Sequence, residues 1–332
     1  MTAKMKRRQF ITLLGGAAGW PLVAGAQQGV AVRRIGVLMG WPESDAVAQA
    51  QVAAFRTDLQ GLGWTEGRNI RLDYRWAELN AEAMQRFAKE LIALKPDLIL
   101  SQTTPSTAAL LQYTRTIPIV FALVSDPIGS GFVASLARPG GNATGFVATE
   151  VQGGKWLELL KEIAPRVTRV AAMFNPAAAP YVEIYMSPFK TAAQSLGVEE
   201  SPAPVQDTSE IESVVSALAR EPNGRLIVLP DSFTLARRVE ITSLAARYRL
   251  PAVYPYGYFA EVGGLLSYGN DLNENFRHAA TYADRILRGA KPSELPVQAP
   301  VKFKLVINLK TAKALGLDVP PLLQQRADEV IE

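Results

Sequence analysis

Cysteine is absent from the 332-residue chain, and histidine occurs once, at His278. The first absence excludes disulfides, Cys-ligated zinc, iron–sulfur clusters and thiol catalysis. The second excludes a His-rich metal site. It also ties any Ser–His–acid triad to a residue that lies mid-helix among Phe276, Ala279 and Ala280. Carboxylate sites for hard cations stay open. No Gly-Lys-Ser/Thr closes a glycine loop, so there is no P-loop. Net charge is scarce too. Residues 1–26 hold Lys4, Lys6, Arg7 and Arg8 and no acid. Without those four, the 35 basic residues fall to 31, equal to the 31 acidic ones. A balanced body gives no basic surface for nucleic acid. With 48% hydrophobic and 20% charged residues, the body can bury large cores.

The first 26 residues read as an address. A positive stretch to Arg8 precedes a short apolar segment, 11–23, softened by Gly15, Gly16 and Gly19. Ala24-Gly25-Ala26 is a small-x-small cleavage site, and the apolar segment is too short to span a bilayer. Arg7-Arg8-Gln9-Phe10 looks like a twin-arginine export signal. Without a cysteine there is no lipid attachment, so a freely diffusing, periplasmic protein is expected.

The body alternates short apolar runs with helical patterns. Ile35 to Met39 is an unbroken apolar run, as expected of a strand buried on both faces, and it opens into a loop holding Gly40, Trp41, Pro42 and Glu43. Ser44 or Asp45 can cap the helix that follows, 46–62. The strand–polar loop–helix step recurs at 98–106, 117–127, 170–176 and 226–232. The remaining pattern predicts strands at 69–74, 144–149, 198–205, 252–254, 264–268 and 302–307. It predicts helices at 80–94, 106–113, 155–163, 181–196, 209–220, 235–248, 272–287 and 309–315, a small helix at 132–137, and an aromatic loop at 256–259. Such alternation predicts an α/β protein with two open, mostly parallel sheets, whose ligands sit at the carboxyl ends of the strands.

Gly129-Ser130-Gly131-Phe132-Val133-Ala134 fits the dinucleotide pattern G-x-G-x-x-A, and Glu150 follows at a plausible distance for a ribose contact. A nicotinamide oxidoreductase exported folded is therefore the alternative reading. Residues 125–128 separate strand from glycines, and Pro139-Gly140-Gly141 breaks the helix early. These weigh against a tight phosphate turn. The other candidates suit a small molecule. Trp41, Tyr256, Tyr258 and Tyr268 offer flat faces with polar tips. Gln102, Thr103, Thr104, Ser106, Ser125, Asn175 and Ser232 offer neutral donors and acceptors at strand ends. Asp126 and Asp231 both follow buried strands and could meet across a cleft, or merely cap helices.

Long segments carry a resemblance. They include RRQFITLLGG, RRIGVLMGW, TIPIVFALVSDPIGSGFVASLARPGGNATGF, GGKWLELLKEIAPRVTRVA, REPNGRLIVLPD, LPAVYPYGYFAEVGGLLSYGND and PVQAPVKFKLVINLKTAKALGL. Through these the chain resembles the substrate-binding proteins of ABC transporters, in the bacterial group that includes tryptophan-binding members. The resemblance implies a type I periplasmic-binding-protein fold: two similar Rossmann-like lobes joined by a three-crossover hinge. It implies crossovers near 146–151, 269–272 and 296–301, with lobe I at 30–146 plus 272–296 and lobe II at 151–269 plus 301–332. By position, Trp41, Thr103, Thr104 and Asp126 match first-lobe ligand contacts. Asn175, Asp231, Tyr256 and Asn270 match second-lobe or hinge contacts. The implied protein is a monomer without cofactor, catalysis or nucleic-acid partner. It captures an amino acid or aromatic acid for a membrane permease; a sensory partner of a membrane receptor is the remaining alternative.

Overall fold

The apolar run after Arg34 is a strand with no exposed face. In the computed structural model, which describes residues 32–332, β1 (Arg33–Met39) lies inside a sheet, between β2 (Ile70–Trp76) and β3 (Leu98–Thr103). Ile35, Val37 and Met39 enter one apolar core and Leu38 the opposite one, as the two-residue period of a strand requires. β4 (Ile119–Val124) and β5 (Ala143–Val147) complete a five-stranded parallel sheet of order β2-β1-β3-β4-β5. Helices α1 (Ala46–Gly61), α2 (Ala81–Ala93) and α3 (Thr104–Tyr113) connect its strands. Asp45 starts α1, its Oδ1 accepting from the N–H groups of Val47 and Ala48 at 2.9 and 3.0 Å.

A second sheet follows. Its parallel part is β6 (Arg169–Phe174), β7 (Glu199–Pro204), β8 (Gly224–Val228), β9 (Ala252–Tyr254) and β10 (Leu266–Gly269). α4 (Gly153–Ile163) leads into it from β5, and α5 (Glu183–Leu196), α6 (Thr208–Arg220), α7 (Ser232–Ala236), α8 (Arg238–Arg247) and α9 (Gly257–Glu261) link these strands. The chain then returns to the first sheet as α10 (Leu272–Leu287), which lies along α1 and against β4 and β5. There Asn275 donates to the carbonyls of Ala122 and Val147, both at 2.9 Å. After a single 3-10 turn at Pro292–Glu294 the chain crosses again, pairing Phe146 with Gln298 on the way. β11 (Lys304–Asn308) joins β10 antiparallel. α11 (Leu309–Ala314), α12 (Pro321–Arg326) and β12 (Glu329–Ile331) end the chain. The second sheet is β12-β11-β10-β9-β8-β6-β7, so the fold is α/β with two mainly parallel sheets. The chain passes between sheets three times, after β5, after β10 and before β11. No helix among the described residues is long and apolar enough to cross a membrane.

Several expectations are corrected. The stretch 132–137 is bend and irregular backbone: the N–H groups of Phe132 and Val133 go back to the Pro127 carbonyl and that of Ala134 goes forward to Pro139. The predicted dinucleotide glycines therefore have no helix behind them. The aromatic loop at 256–259 is instead the start of α9, held by Phe259 stacked on Tyr254 at 4.8 Å. The helix expected at 235–248 is two, α7 and α8, broken at Arg237 (φ −98°, ψ 18°). The leader at 1–26 lies outside the described residues.

Candidate functional site

The loops at the carboxyl ends of the two sheets face each other, where open α/β sheets place their ligands. On the first side, the loop after β1 carries Trp41. Gln102 fixes it from below: its Oε1 accepts from the N–H groups of Gly40 (2.8 Å) and Trp41 (3.1 Å), and its Nε2 donates to Gln51. Gly40 is required here, since a Cβ would stand 2.7 Å from the Thr103 hydroxyl oxygen. Thr103 caps α3, and Thr104 accepts from the Ser125 N–H at 3.2 Å. On the second side, Asp231 caps α7. Its Oδ1 accepts from Thr234 N–H (2.7 Å) and its Oδ2 from Asn175 N–H (2.9 Å).

Between these loops lies a cavity walled by Trp41, Tyr181 and Tyr256, with Thr103, Thr104, Ser125, Asp231 and Ser232 as its polar groups. Asp231 is the only ionisable carboxylate in the lining, and no Lys, Arg or His joins it. Burial pushes its carboxyl up to about 6, against the pull of the Thr234 and Asn175 N–H groups toward ionisation. Burial also pushes the phenols of Tyr181, Tyr185 and Tyr256 up, and the nearby Asp231 charge adds to this. They are neutral donors at any physiological pH.

The two sides touch. The Trp41 indole N–H donates to the Ser232 carbonyl at 3.1 Å, across 191 residues of sequence. Arg238 pairs with Asp45 at 2.9 Å, with side chains 9% and 11% exposed, and so joins the cap of α1 to the second sheet. The space left between the walls is about 20 Å³, the room of one water. A solute therefore enters only when the two sides part, which breaks both contacts.

Of the residues predicted from sequence, the structure brings Trp41, Thr103, Thr104, Ser125, Asp231, Ser232 and Tyr256 to the cavity wall. Seven others lie elsewhere. Ser106 bonds the Thr103 hydroxyl at 2.9 Å, and Tyr258 donates to Asp271 at 3.2 Å. Gln102 is spent on the loop in front of it. Asn175 is spent on Val205 and on its own turn, donating to the Val205 carbonyl and accepting from Ala178 N–H. Asp126 closes its own turn by accepting from Gly129 N–H at 2.8 Å. Tyr268 stacks on Phe303, ring centroids 5.9 Å apart, and Asn270 lines a separate groove at the crossovers. Tyr181 and Arg238 were not anticipated. Tyr181 follows the same strand-to-loop step that singled out Trp41, so the pattern could have given it. Arg238 sits in a charged run that reads as a solvated face.

The family model for ABC transporter substrate binding protein matches residues 40–331. The chain is 26% identical over 262 residues to the Tyrosine-binding protein of Clostridioides difficile (strain R20291), covering 78% of this chain and 74% of that protein. A structure from Streptococcus pneumonia in complex with L-Trp is 26% identical, with a TM-score of 0.84 over 91% of this chain and all of the other. The ligand-free, open structure of a Clostridium difficile substrate-binding protein with adhesive properties is also 26% identical. It covers 90% of this chain and 99% of the other, yet its TM-score is 0.68. At equal identity the chain superposes better on the ligand-bound relative than on the open one, in agreement with its cross-cleft contacts. With the match running from the loop of Trp41 to the last strand, the chain belongs to the ABC transporter substrate-binding protein family.

Proposed function

We propose that the cleft captures an aromatic amino acid and that the closed protein hands it to a membrane permease. The observation that carries this is Asp231: a desolvated carboxylate, alone in charge, in a cavity with aromatic walls. Such a group is costly unless a cation meets it. An α-ammonium is that cation, and the flat faces of Trp41, Tyr181 and Tyr256 suit a planar side chain. The hydroxyls of Thr103, Thr104 and Ser125 line the same cavity from the first sheet and can take the carboxylate end. Relatives that bind tyrosine or hold L-Trp support the assignment. Nothing in this chemistry makes or breaks a bond. The protein acts as a monomer without cofactor, and lobes 30–146 plus 272–296 and 151–269 plus 301–332 close as units about the three passages.

The test is a thermal-shift and calorimetric screen. L-tryptophan and L-tyrosine are expected to raise the melting temperature. Indole-3-propionate, which lacks the ammonium, should do so far less. A shift with myo-inositol or the deaminated acid and none with amino acids would overturn the assignment. Closure is tested through Arg238. Arg238→Gln removes the charge that holds Asp45 across the cleft, and L-tryptophan affinity is expected to fall roughly tenfold, or about 1.4 kcal/mol. Small-angle scattering should show a larger radius of gyration for the ligand-bound variant than for the ligand-bound parent.

The leader supports an extracytoplasmic site of action by the twin-arginine route. Arg7→Lys with Arg8→Lys is expected to leave the protein as precursor in the cytoplasm, read by fractionation and immunoblotting. Normal export of that variant would assign the leader to the general secretory route.

A further inference from the structure

A second, larger cavity lies at the crossovers, outside the cleft. It holds about 430 Å³ and borders all three passages between the sheets: Phe146 from the first, Asn270 and Asp271 from the second, and residues 298–304 from the third. Asn270 is 5% exposed, and neither its amide oxygen nor its amide nitrogen has a partner among the described residues. Buried amides without partners are rare in folded proteins, and this residue borders a cavity, with its amide just beneath the wall. Phe146, Ala299, Pro300 and Val301 give the groove an apolar wall, and Val301 is 95% exposed at its rim.

The charges of the groove separate into committed and uncommitted groups. Asp271 caps α10 by accepting from Asn273 N–H at 2.9 Å, and it also accepts from the Tyr258 hydroxyl at 3.2 Å. Glu274 pairs with Arg277 and stands 4.0 Å from the His278 ring. Lys302 and Lys304 line the same groove, and the side chain of neither forms an ion pair or hydrogen bond among the described residues. The groove therefore has two lysines outside any salt bridge, an unpartnered amide and an apolar wall, while its carboxylates are engaged by Arg277 and by the Asn273 and Tyr258 donors.

We infer that this hinge groove is a binding site for a small organic carboxylate with a flat apolar body. The carboxylate meets Lys302 and Lys304, and the Asn270 amide nitrogen once that side chain turns out of the wall; the body lies along Phe146 and Pro300. The inference stands whatever the cleft binds. Because the walls come from every passage between the lobes, occupancy and closure share one free energy, and each ligand alters the affinity of the other by the same factor.

Benzoate is the probe, titrated into the full chain by calorimetry at constant ionic strength, with benzamide as the uncharged match. Benzoate is expected to bind at least tenfold more tightly than benzamide. Lys302→Ser with Lys304→Ser, at exposed positions, should weaken it at least tenfold without moving the melting temperature. Asn270→Leu should weaken it as well, whereas Trp41→Ala should still bind it, with an affinity altered only through closure. No binding of benzoate, or equal binding by the double lysine variant, overturns the inference. Loss of benzoate in Trp41→Ala with no loss in the lysine variant also overturns it, by placing the probe in the cleft.

Discussion

Trp41→Ala is expected to weaken binding of L-tryptophan by about 100-fold, or about 2.7 kcal/mol. The indole is 1% exposed, walls the cavity, and donates to the second sheet through Ser232. Alanine removes the face and the cross-cleft hydrogen bond together. Truncating a buried aromatic costs about 3–5 kcal/mol when all of its surroundings belong to one folded core. Here part of those surroundings lies across the cleft, so part of the cost falls on closure and appears as lost affinity. Trp41→Phe separates the two roles. It keeps a flat, smaller wall and deletes the N–H, for which a loss of about 1 kcal/mol, roughly fivefold, is expected. Calorimetry on both variants reads the difference. Full affinity in Trp41→Ala would mean that the loop serves only to lead into α1. The loop itself should survive either change, because Gln102 holds its backbone N–H groups rather than its side chain.

Trp41 was legible in the sequence because a buried strand, a loop and a capped helix follow one another without a break, and each has a local signal. Asp45 as cap and Asp231 as a strand-end acid were legible for the same reason. Side chains that point backwards from such loops were not. Gln102 and Asn175 carry the same polar signature as Thr103 and Thr104, but the pleat turns them toward the backbone of their own sheet. Tyr268 and Asn270 lie at the end of a strand too. That strand is the exit from the second sheet, and its neighbour β11 runs antiparallel, so its end leads into the crossovers rather than the cleft. Arg238 lies beyond local reading altogether. Its burial depends on Asp45, 193 residues away, and a charged run carries no mark of such a distant partner. The strand β12, three residues long, offers too few positions for a period to show.

The affinity for L-tryptophan is expected to fall about tenfold between pH 7 and pH 5, through Asp231. In the unfolded chain this carboxyl ionises near its ordinary value of 3.8, and in the folded protein burial raises it to about 6. Below 3.8 both states hold the proton and burial carries no ionic penalty. As pH rises from 3.8 to 6 the unfolded chain releases its proton first, so stability falls. Above 6 the loss is complete, at about 3 kcal/mol. An ammonium beside the carboxylate lowers its pKa again and recovers much of that loss, so the ligand binds the ionised form. At pH 7 most of the ligand-free protein is already ionised; at pH 5 about one molecule in ten is, which gives the tenfold change. The phenols facing Asp231 stay neutral across this range, and the lone histidine lines the hinge groove instead of the cleft. Asp231→Asn should abolish the pH dependence and reduce affinity at pH 7 by about 100-fold. Its effect on folding at pH 7 should be small, since removing the buried charge offsets the loss of an acceptor for Asn175 or Thr234. Calorimetry and thermal melts at pH 5, 6 and 7 measure both quantities. A flat affinity profile in the parent protein, or tighter binding at pH 5, would show that the ligand carries no cation to this carboxylate, and the aromatic amino acid would have to be abandoned.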